Sequence, residues 1–239
     1  MTYQTTIFKG KRALVAGATQ GIGAVIANHL AALGAHVTAF GLGPGDGTLD
    51  PAVQVRQADV TLAQSLDDAL ASIDQLDIVF NCAGILKRGA EHDLEVFEQV
   101  LAVNLTGTMR VCTATRARLK ASRGCIVNTA SMLSFFGGGL VPAYAASKGG
   151  VAQLTKSLAI AYAADGIRVN AIAPGWIATP LTQALQDDPA RAGPILARTP
   201  LGRWGTPADV AQAAMFLCTP AAAFMTGVIL PVDGGYMIA

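Results

Sequence analysis

The chain has 239 residues, 52% of them hydrophobic, with 26 glycines and a formal net charge of +1. This length suits one large α/β domain, and a single domain is predicted over residues 1–239. The near-neutral charge gives no field that would recruit nucleic acid or an anionic membrane, and no apolar run is long enough to span one. The N-terminus lacks signal-peptide features, and the four cysteines show neither metal-site nor redox-pair spacing. A cytoplasmic protein without a metal site is predicted.

Short apolar segments alternate with longer helical patterns along the chain. Strands are predicted at Arg12–Ala16, 35–40, 76–81, 124–131, 167–174 and 227–235, and helices at 23–33, 62–73, 94–119, 144–163 and 207–218. The strands are continuously apolar, as expected when helices cover both faces of a sheet. The alternation predicts a single doubly wound, Rossmann-like α/β domain with a seven-stranded parallel sheet, of which these segments account for six strands.

The turn after the first strand reads AGATQGIG and places glycines at positions 17, 21 and 23 directly before a helix. Gly17 permits a tight turn, Gly21 lets the backbone approach a pyrophosphate, and Gly23 lets helix and strand pack closely. The helix N-terminus favours the anion. This turn therefore predicts dinucleotide binding.

The spacing G-x-x-x-G-x-G resembles that of the short-chain dehydrogenase/reductase family, in which a threonine usually stands at the position of Ala16. The resemblance covers nearly the whole chain. Its further motifs are NCAG (residues 81–84, usually N-N-A-G), Asn104, Ser131, Tyr144-x-x-x-Lys148, the PG segment at Pro174 and Gly175, and PVDGG (residues 231–235).

Tyr144 and Lys148 are the candidate proton-transfer pair. A free tyrosine has a pKa of about 10, and a neighbouring ammonium favours the phenolate. Residues at i and i+4 share one helix face. The family resemblance implies that Tyr144 is the general acid/base, that Lys148 lowers its pKa and holds the nicotinamide ribose, and that Ser131 polarises the carbonyl or alcohol. It also implies that Asn104 supports a water linking Lys148 to solvent.

The predicted cofactor is NAD, with NADP left open. The cofactor-binding residues implied by the resemblance are Gly17, Gln20, Gly21, Ile22, Gly23, Gly41, Leu42, Asp59, Val60, Asn81, Ala83, Gly84, Tyr144, Lys148, Pro174, Gly175, Ile177 and Thr179. After the second strand, Gly41 and Leu42 offer no cation for a 2′-phosphate, and Asp46 is within reach of a ribose. Asp59 is interpreted either as an adenine contact or as a helix N-cap.

The expected substrate is a small molecule with a secondary alcohol or ketone, such as a sugar acid or a polyol. AGILKR (83–88), ASMLSFFGG (130–138) and ILARTPLGRWG (195–205) resemble the 2-deoxy-D-gluconate 3-dehydrogenase group. Lys87 or Arg88 would bind the carboxylate of a sugar acid, although a solvated basic pair is an equal interpretation. Leu133 and Trp176 are predicted to line the substrate pocket, and residues 176–200 to form a lid.

Other functions stay open at this point. Phe135, Phe136 and Leu140 favour an apolar pocket edge, which suits a reductase of cyclic or acyl ketones resembling 3-oxoacyl-acyl-carrier-protein reductases. A non-catalytic dinucleotide-binding protein is the remaining alternative, although Tyr144 and Lys148 disfavour it. The family resemblance also implies a homotetramer, with helices 94–119 and 144–163 forming a four-helix interface through small residues such as Ala143, Ala145, Ala146 and Ala152.

Overall fold

A single parallel sheet of seven strands organises residues 3–239, the part of the chain described by this computed structural model. The strands are β1 (Arg12–Ala16), β2 (His36–Gly41), β3 (Gln54–Gln57), β4 (Ile78–Asn81), β5 (Cys125–Thr129), β6 (Arg168–Pro174) and β7 (Ile229–Val232). Their order across the sheet is β3-β2-β1-β4-β5-β6-β7, so the chain reverses its direction of winding between β1 and β4. The predicted doubly wound fold is confirmed. Ligands bind at such switch points, beyond the carboxyl ends of the strands.

Eight α-helices connect the strands within the described residues. They are α1 (Gly21–Ala32), α2 (Ala63–Leu70), α3 (Leu94–Leu101), α4 (Thr108–Ser122), α5 (Pro142–Tyr162), α6 (Gln183–Gln186), α7 (Pro189–Arg198) and α8 (Pro207–Phe216). Residues 176–200, the predicted lid, contain α6 and α7. None of the helices in residues 3–239 has both the length and the apolar character needed to cross a membrane.

The core has two layers because successive strand residues point to opposite sheet faces. One face carries Val15, Phe80 and Val127 and is covered by α1 and α8. The other carries Leu14, Val79 and Ile126 and is covered by α2, α4 and α5. Burial on both faces explains why these strands are apolar at every position.

Two elements differ from the sequence prediction. The strand Gln54–Gln57 has no predicted counterpart, because it lies at the sheet edge with mostly exposed polar side chains and pairs only with β2. The helix predicted over 94–119 is instead α3 and α4 joined by one π-helical turn, Ala102–Gly107. Such turns concentrate at functional sites, and this one contains Asn104.

Candidate active site

A cleft of about 950 Å³ opens beyond the carboxyl ends of the central strands. It is lined by Ser131 and by the predicted cofactor residues other than Asn81. Arg88, Leu133 and Trp176, three of the four predicted substrate residues, line it as well. The sheet therefore brings together predicted residues that are up to 162 positions apart in sequence (Gly17 to Thr179).

The glycine-rich turn is shaped to receive a pyrophosphate. Gly17 has φ +77°, and a Cβ there would collide with the backbone of Ala83. A Cβ on Gly23 would collide with the carbonyl oxygen of Gly17. Gly21 has φ +60° and faces open space, and none of the described side chains caps α1, so its first amides lack partners. Unpaired amides at a helix N-terminus bind phosphate groups, which fits a dinucleotide.

The end of the cleft beyond β2 and β3, which is the predicted adenosine end, is acidic. Asp46 accepts hydrogen bonds from the amide and hydroxyl of Thr48, and these bonds lower the pKa of Asp46. Asp59 accepts from the amide of Thr61 at 2.8 Å and its hydroxyl at 2.7 Å, so its side chain closes the turn before α2 rather than capping the amides of α2. Of the described residues lining this end, none is a lysine or an arginine.

The nicotinamide end holds the predicted proton-transfer pair. The first turn of α5 carries Tyr144, and the next turn carries Lys148, whose Nζ lies 5.5 Å from the Tyr144 ring centroid. Nζ donates a hydrogen bond of 2.7 Å to the carbonyl oxygen of Thr129. Ser131 follows β5, and its Oγ accepts from the amide of Leu133. Thr129, Ser131, Tyr144 and Lys148 all line the cleft.

Burial sets the protonation of the pair in this structure. It raises the pKa of Tyr144 to about 12, opposed by the Ser131 hydroxyl and reinforced by the charge of Glu91. It also lowers the pKa of Lys148 to about 8. Lys148 was expected to lower the pKa of Tyr144, but here desolvation outweighs any such effect. The phenol is therefore protonated at neutral pH.

Three predicted residues lie outside the cleft lining. Asn104 is fully buried: its Oδ1 accepts from the amide of Ile85, and its Nδ2 donates to the carbonyl of Ile85 and to Ser147 Oγ. Asn81 is also buried, and its Nδ2 donates to Asn128 Oδ1 at 2.9 Å. Lys87 is exposed next to the cleft without lining it. Asn104 and Asn81 stabilise the structure behind Ala83 and Gly84, two of the predicted cofactor residues.

The apolar edge expected from Phe135, Phe136 and Leu140 is not part of the cleft. Phe136 packs 6.2 Å from the ring of Tyr236, and Phe135 and Leu140 are each 54% exposed. Apolar side chains from other segments line the substrate end instead: Leu86, Leu133, Trp176, Leu181 and Leu185.

Several site residues have no counterpart among the sequence predictions. Thr129 holds the Lys148 ammonium, and Arg191 of α7 lines the substrate end. Cys82, beside Lys148, is a neutral thiol because burial raises its pKa to about 11. Glu91 is 1% exposed and touches the backbone of Tyr144. Arg191 and Glu91 carry no local motif, since only the folded chain places them here.

Comparisons with known proteins agree with this geometry. A family model described as Enoyl-(Acyl carrier protein) reductase matches residues 17–237. The chain is 42% identical to the 2-dehydro-3-deoxy-D-gluconate 5-dehydrogenase of Bacillus subtilis (strain 168), over 96% of this chain and 95% of that one. It is 40% identical to the galactitol 2-dehydrogenase (L-tagatose-forming) of Cereibacter sphaeroides over 100% of both chains.

A solved structure is similar over its full length. It is described as a 2-deoxy-D-gluconate 3-dehydrogenase from Agrobacterium tumefaciens with bound NADP, at 41% identity and a TM-score of 0.91, covering 99% of this chain and 100% of that one. The phosphate-binding turn, the tyrosine–lysine pair and these matches lead to one conclusion: the chain belongs to the short-chain dehydrogenase/reductase family of nicotinamide-dependent oxidoreductases.

Proposed function

We propose that the protein is an NAD-dependent dehydrogenase of a sugar acid, acting on a secondary hydroxyl group whose oxidation gives a ketone. A second candidate is a polyol, because the galactitol dehydrogenase is a relative over its full length. The two differ by one chemical group, since a sugar acid has a carboxylate and a polyol has none.

The observation that carries the proposal is the positive charge at the substrate end of the cleft. Arg88 comes from the loop between β4 and α3, and Arg191 comes from α7 on the opposite side. Burial lowers the pKa of Arg88, the positive charge of Arg191 lowers it further, and the negative charge of Glu91 opposes both. Among the described residues neither arginine has an acidic partner within salt-bridge distance. Two neighbouring guanidinium groups that form no salt bridge favour an anionic ligand, and a carboxylate fits them.

The catalytic assignments follow from position. When bound, the nicotinamide accepts or supplies the hydride. As the phenolate, Tyr144 takes the proton of the substrate hydroxyl during oxidation, and as the phenol it gives a proton to the substrate oxygen during ketone reduction. Ser131 donates a hydrogen bond to the same substrate oxygen, and Lys148 binds the ribose while its charge favours the phenolate. Asn104 supports this arrangement from behind through its bonds to Ile85 and Ser147.

The proposal is tested by initial rates with 2-dehydro-3-deoxy-D-gluconate and with galactitol, each with NAD⁺. Arg191→Met should raise KM for the sugar acid about tenfold or more, because one charge-assisted hydrogen bond is lost. KM for galactitol should stay unchanged. Arg12→Met is the control, since Arg12 is an exposed arginine at the amino end of β1, away from the cleft. Preference of the wild type for galactitol, or equal losses on both substrates, would refute the sugar-acid assignment.

A homotetramer in the cytoplasm completes the proposal. The outer face of α5 includes the exposed Ala146, the half-buried Gly149 and Ile160, the last 82% exposed, which supports close helix packing between subunits. Ala143 and Ala152, expected on that interface, are buried inside the protomer and do not contribute to it. All four cysteines are free, which suits a reducing compartment. Light scattering at working concentration tests the assembly, and a monomer would contradict it.

A further inference from the structure

Glu91 is a buried carboxylate for which the family motifs quoted above provide no role. It lies in the loop between β4 and α3 and is 1% exposed. Its Oε1 accepts a hydrogen bond of 2.8 Å from the amide of Lys87 in the same loop. Its Oε2 accepts a hydrogen bond of 2.8 Å from the amide of Tyr144 in the first turn of α5. One carboxylate therefore joins the loop to the helix turn that carries the candidate catalytic tyrosine.

The helix needs such an acceptor from outside. α5 begins at Pro142, and none of the described side chains of its own N-terminus caps it. The amides of a first helical turn have no intrahelical partner, and the helix dipole favours a negative charge there. Glu91 meets both requirements for Tyr144.

Burying a carboxylate is costly unless it is well bonded or paired. Among the described residues no lysine, arginine or histidine lies within salt-bridge distance of Glu91. Its partners are the two backbone amides. A neutral or apolar residue would avoid the desolvation cost, so the charge itself calls for a function.

Two more contacts join this loop to the segment around the start of α5. The amide of Gly89 donates to the carbonyl of Leu140 at 2.8 Å, and His92 Nε2 lies 3.0 Å from the carbonyl of Gly139. The loop thus meets residues 139–144 at three points, and Glu91 makes the only one of these contacts that reaches Tyr144. Arg88 belongs to this loop, between Lys87 and Gly89.

We propose that Glu91 is a positioning residue that clasps the first turn of α5 to the loop presenting Arg88. The clasp fixes the distance between the substrate's carboxylate site and the proton-transferring oxygen of Tyr144. This inference rests on the proposed function for its catalytic consequence, whereas the clasp itself does not depend on turnover.

The charge of Glu91 also bears on the ionisation of Tyr144. The polar and charged groups next to Tyr144 are Lys148 on its own helix, Ser131 after β5 and Glu91 from the loop. Cys82, Arg88 and Arg191 line the same cleft. Burial is the main cause of the raised pKa of Tyr144, and the negative charge of Glu91 raises it further. Removing that charge should lower the pKa. Oxidation needs the phenolate, so its rate should then rise at lower pH.

The test compares Glu91→Gln with Glu98→Gln, which removes an exposed carboxylate from α3. In glutamine an NH2 donor replaces one of the two carboxylate oxygens, so in the same position it would face one of the two amides without accepting from it. Amide hydrogen exchange at Lys87 and Tyr144 should become about tenfold faster or more in the Glu91 variant and stay unchanged in the control. The pH at which kcat/KM for oxidation rises should fall by about half a unit or more. Glu91→Asp keeps the charge on a shorter side chain. It should restore the pH dependence of kcat/KM more fully than it restores the protection of the Lys87 and Tyr144 amides from exchange.

Unchanged exchange at Tyr144 would overturn the clasp. Lowered activity without any shift of the pH curve would overturn the electrostatic part, because a merely structural defect lowers activity at every pH alike. NADH binding, measured by calorimetry, should be within about twofold of wild type and shows that the Glu91 variant is folded. Faster exchange in a protein whose wild type has no dehydrogenase activity would support the clasp and refute the proposed function.

Discussion

The Nζ of Lys148 lies 5.5 Å from the ring centroid of Tyr144 but donates its hydrogen bond to the carbonyl oxygen of Thr129. The ammonium is thus held by the end of β5, near the phenol without being bonded to it. This arrangement leaves the lysine free to bind a ribose and leaves the phenol oxygen free for a substrate. Both consequences can be tested separately.

Removing the phenol oxygen should stop proton transfer while leaving the cleft intact. Tyr144→Phe is expected to lower kcat at least about 100-fold, the usual contribution of a positioned acid or base. The dissociation constant for NADH, measured by fluorescence quenching or calorimetry, should be unchanged. Tyr3→Phe is the control, since it loses one hydroxyl bond to the carbonyl of Gln212, far from the cleft, and should keep full activity. Wild-type turnover in Tyr144→Phe would remove Tyr144 from the mechanism.

Lys148 is expected to reduce stability at neutral pH. Burial lowers its pKa from 10.5 to about 8, so the unfolded chain binds this proton more tightly than the folded one. The free energy of unfolding therefore rises with pH between these two values. Below pH 8 the buried ammonium destabilises the fold by up to about 3 kcal/mol, and above pH 10.5 it no longer does.

Lys148→Met should accordingly be inactive but more stable at pH 7, by up to about 3 kcal/mol in urea unfolding. The gain should shrink as the pH rises from 8 towards 10. A variant that is less stable at pH 7 would show that the bond to Thr129 outweighs the desolvation of the ammonium.

Gly21 allows the phosphate cradle to be tested with a closely matched control. Gly21 and Gly10 both have positive φ, +60° and +75°, and a Cβ on either meets nothing within 4 Å. Alanine at either position should therefore cost a similar amount of backbone strain, about 1 kcal/mol. Only Gly21→Ala places a methyl group in the cradle, so it alone should weaken NADH binding, by about tenfold or more. Equal binding in both variants would place the pyrophosphate elsewhere.

The acidic adenosine end predicts a preference for NADH over NADPH. Asp46→Asn removes one negative charge near the expected ribose and should tighten NADPH binding between about three- and tenfold. Asp50→Asn is the control, because Asp50 makes a similar turn bond to the amide of Ala52 and does not line the cleft. Stronger NADPH than NADH binding in the wild type would show that the cofactor assignment is wrong.

The fold could be predicted from the sequence where burial produces a continuous run of apolar residues. Strands such as Ile78–Asn81 are apolar because both sheet faces are covered, whereas Gln54–Gln57 has one partner strand and an exposed surface, and so carries no such signal. The π-helical turn at Ala102–Gly107 contains Asn104, which bonds to Ile85, a residue 19 positions away. The helix propensities of the residues in this segment give no information about that contact.

The site could be predicted where chemistry follows a strand end or a fixed spacing, as for Gly17, Gly21, Tyr144 and Lys148. It could not be predicted where distant segments meet. Arg191 lies in a polar stretch without a motif and reaches the cleft because α7 folds over it. Lys87 and Arg88 are adjacent in sequence, but only Arg88 lines the cleft.

The buried thiol of Cys82 has a consequence for the chemical durability of the enzyme. Cysteine reacts with alkylating agents and peroxides as the thiolate. Because desolvation raises the pKa of Cys82 to about 11, its thiol is neutral at pH 7. The Cys82 sulfur can therefore lie beside the Lys148 ammonium, at the centre of the site, without reacting readily with iodoacetamide or hydrogen peroxide.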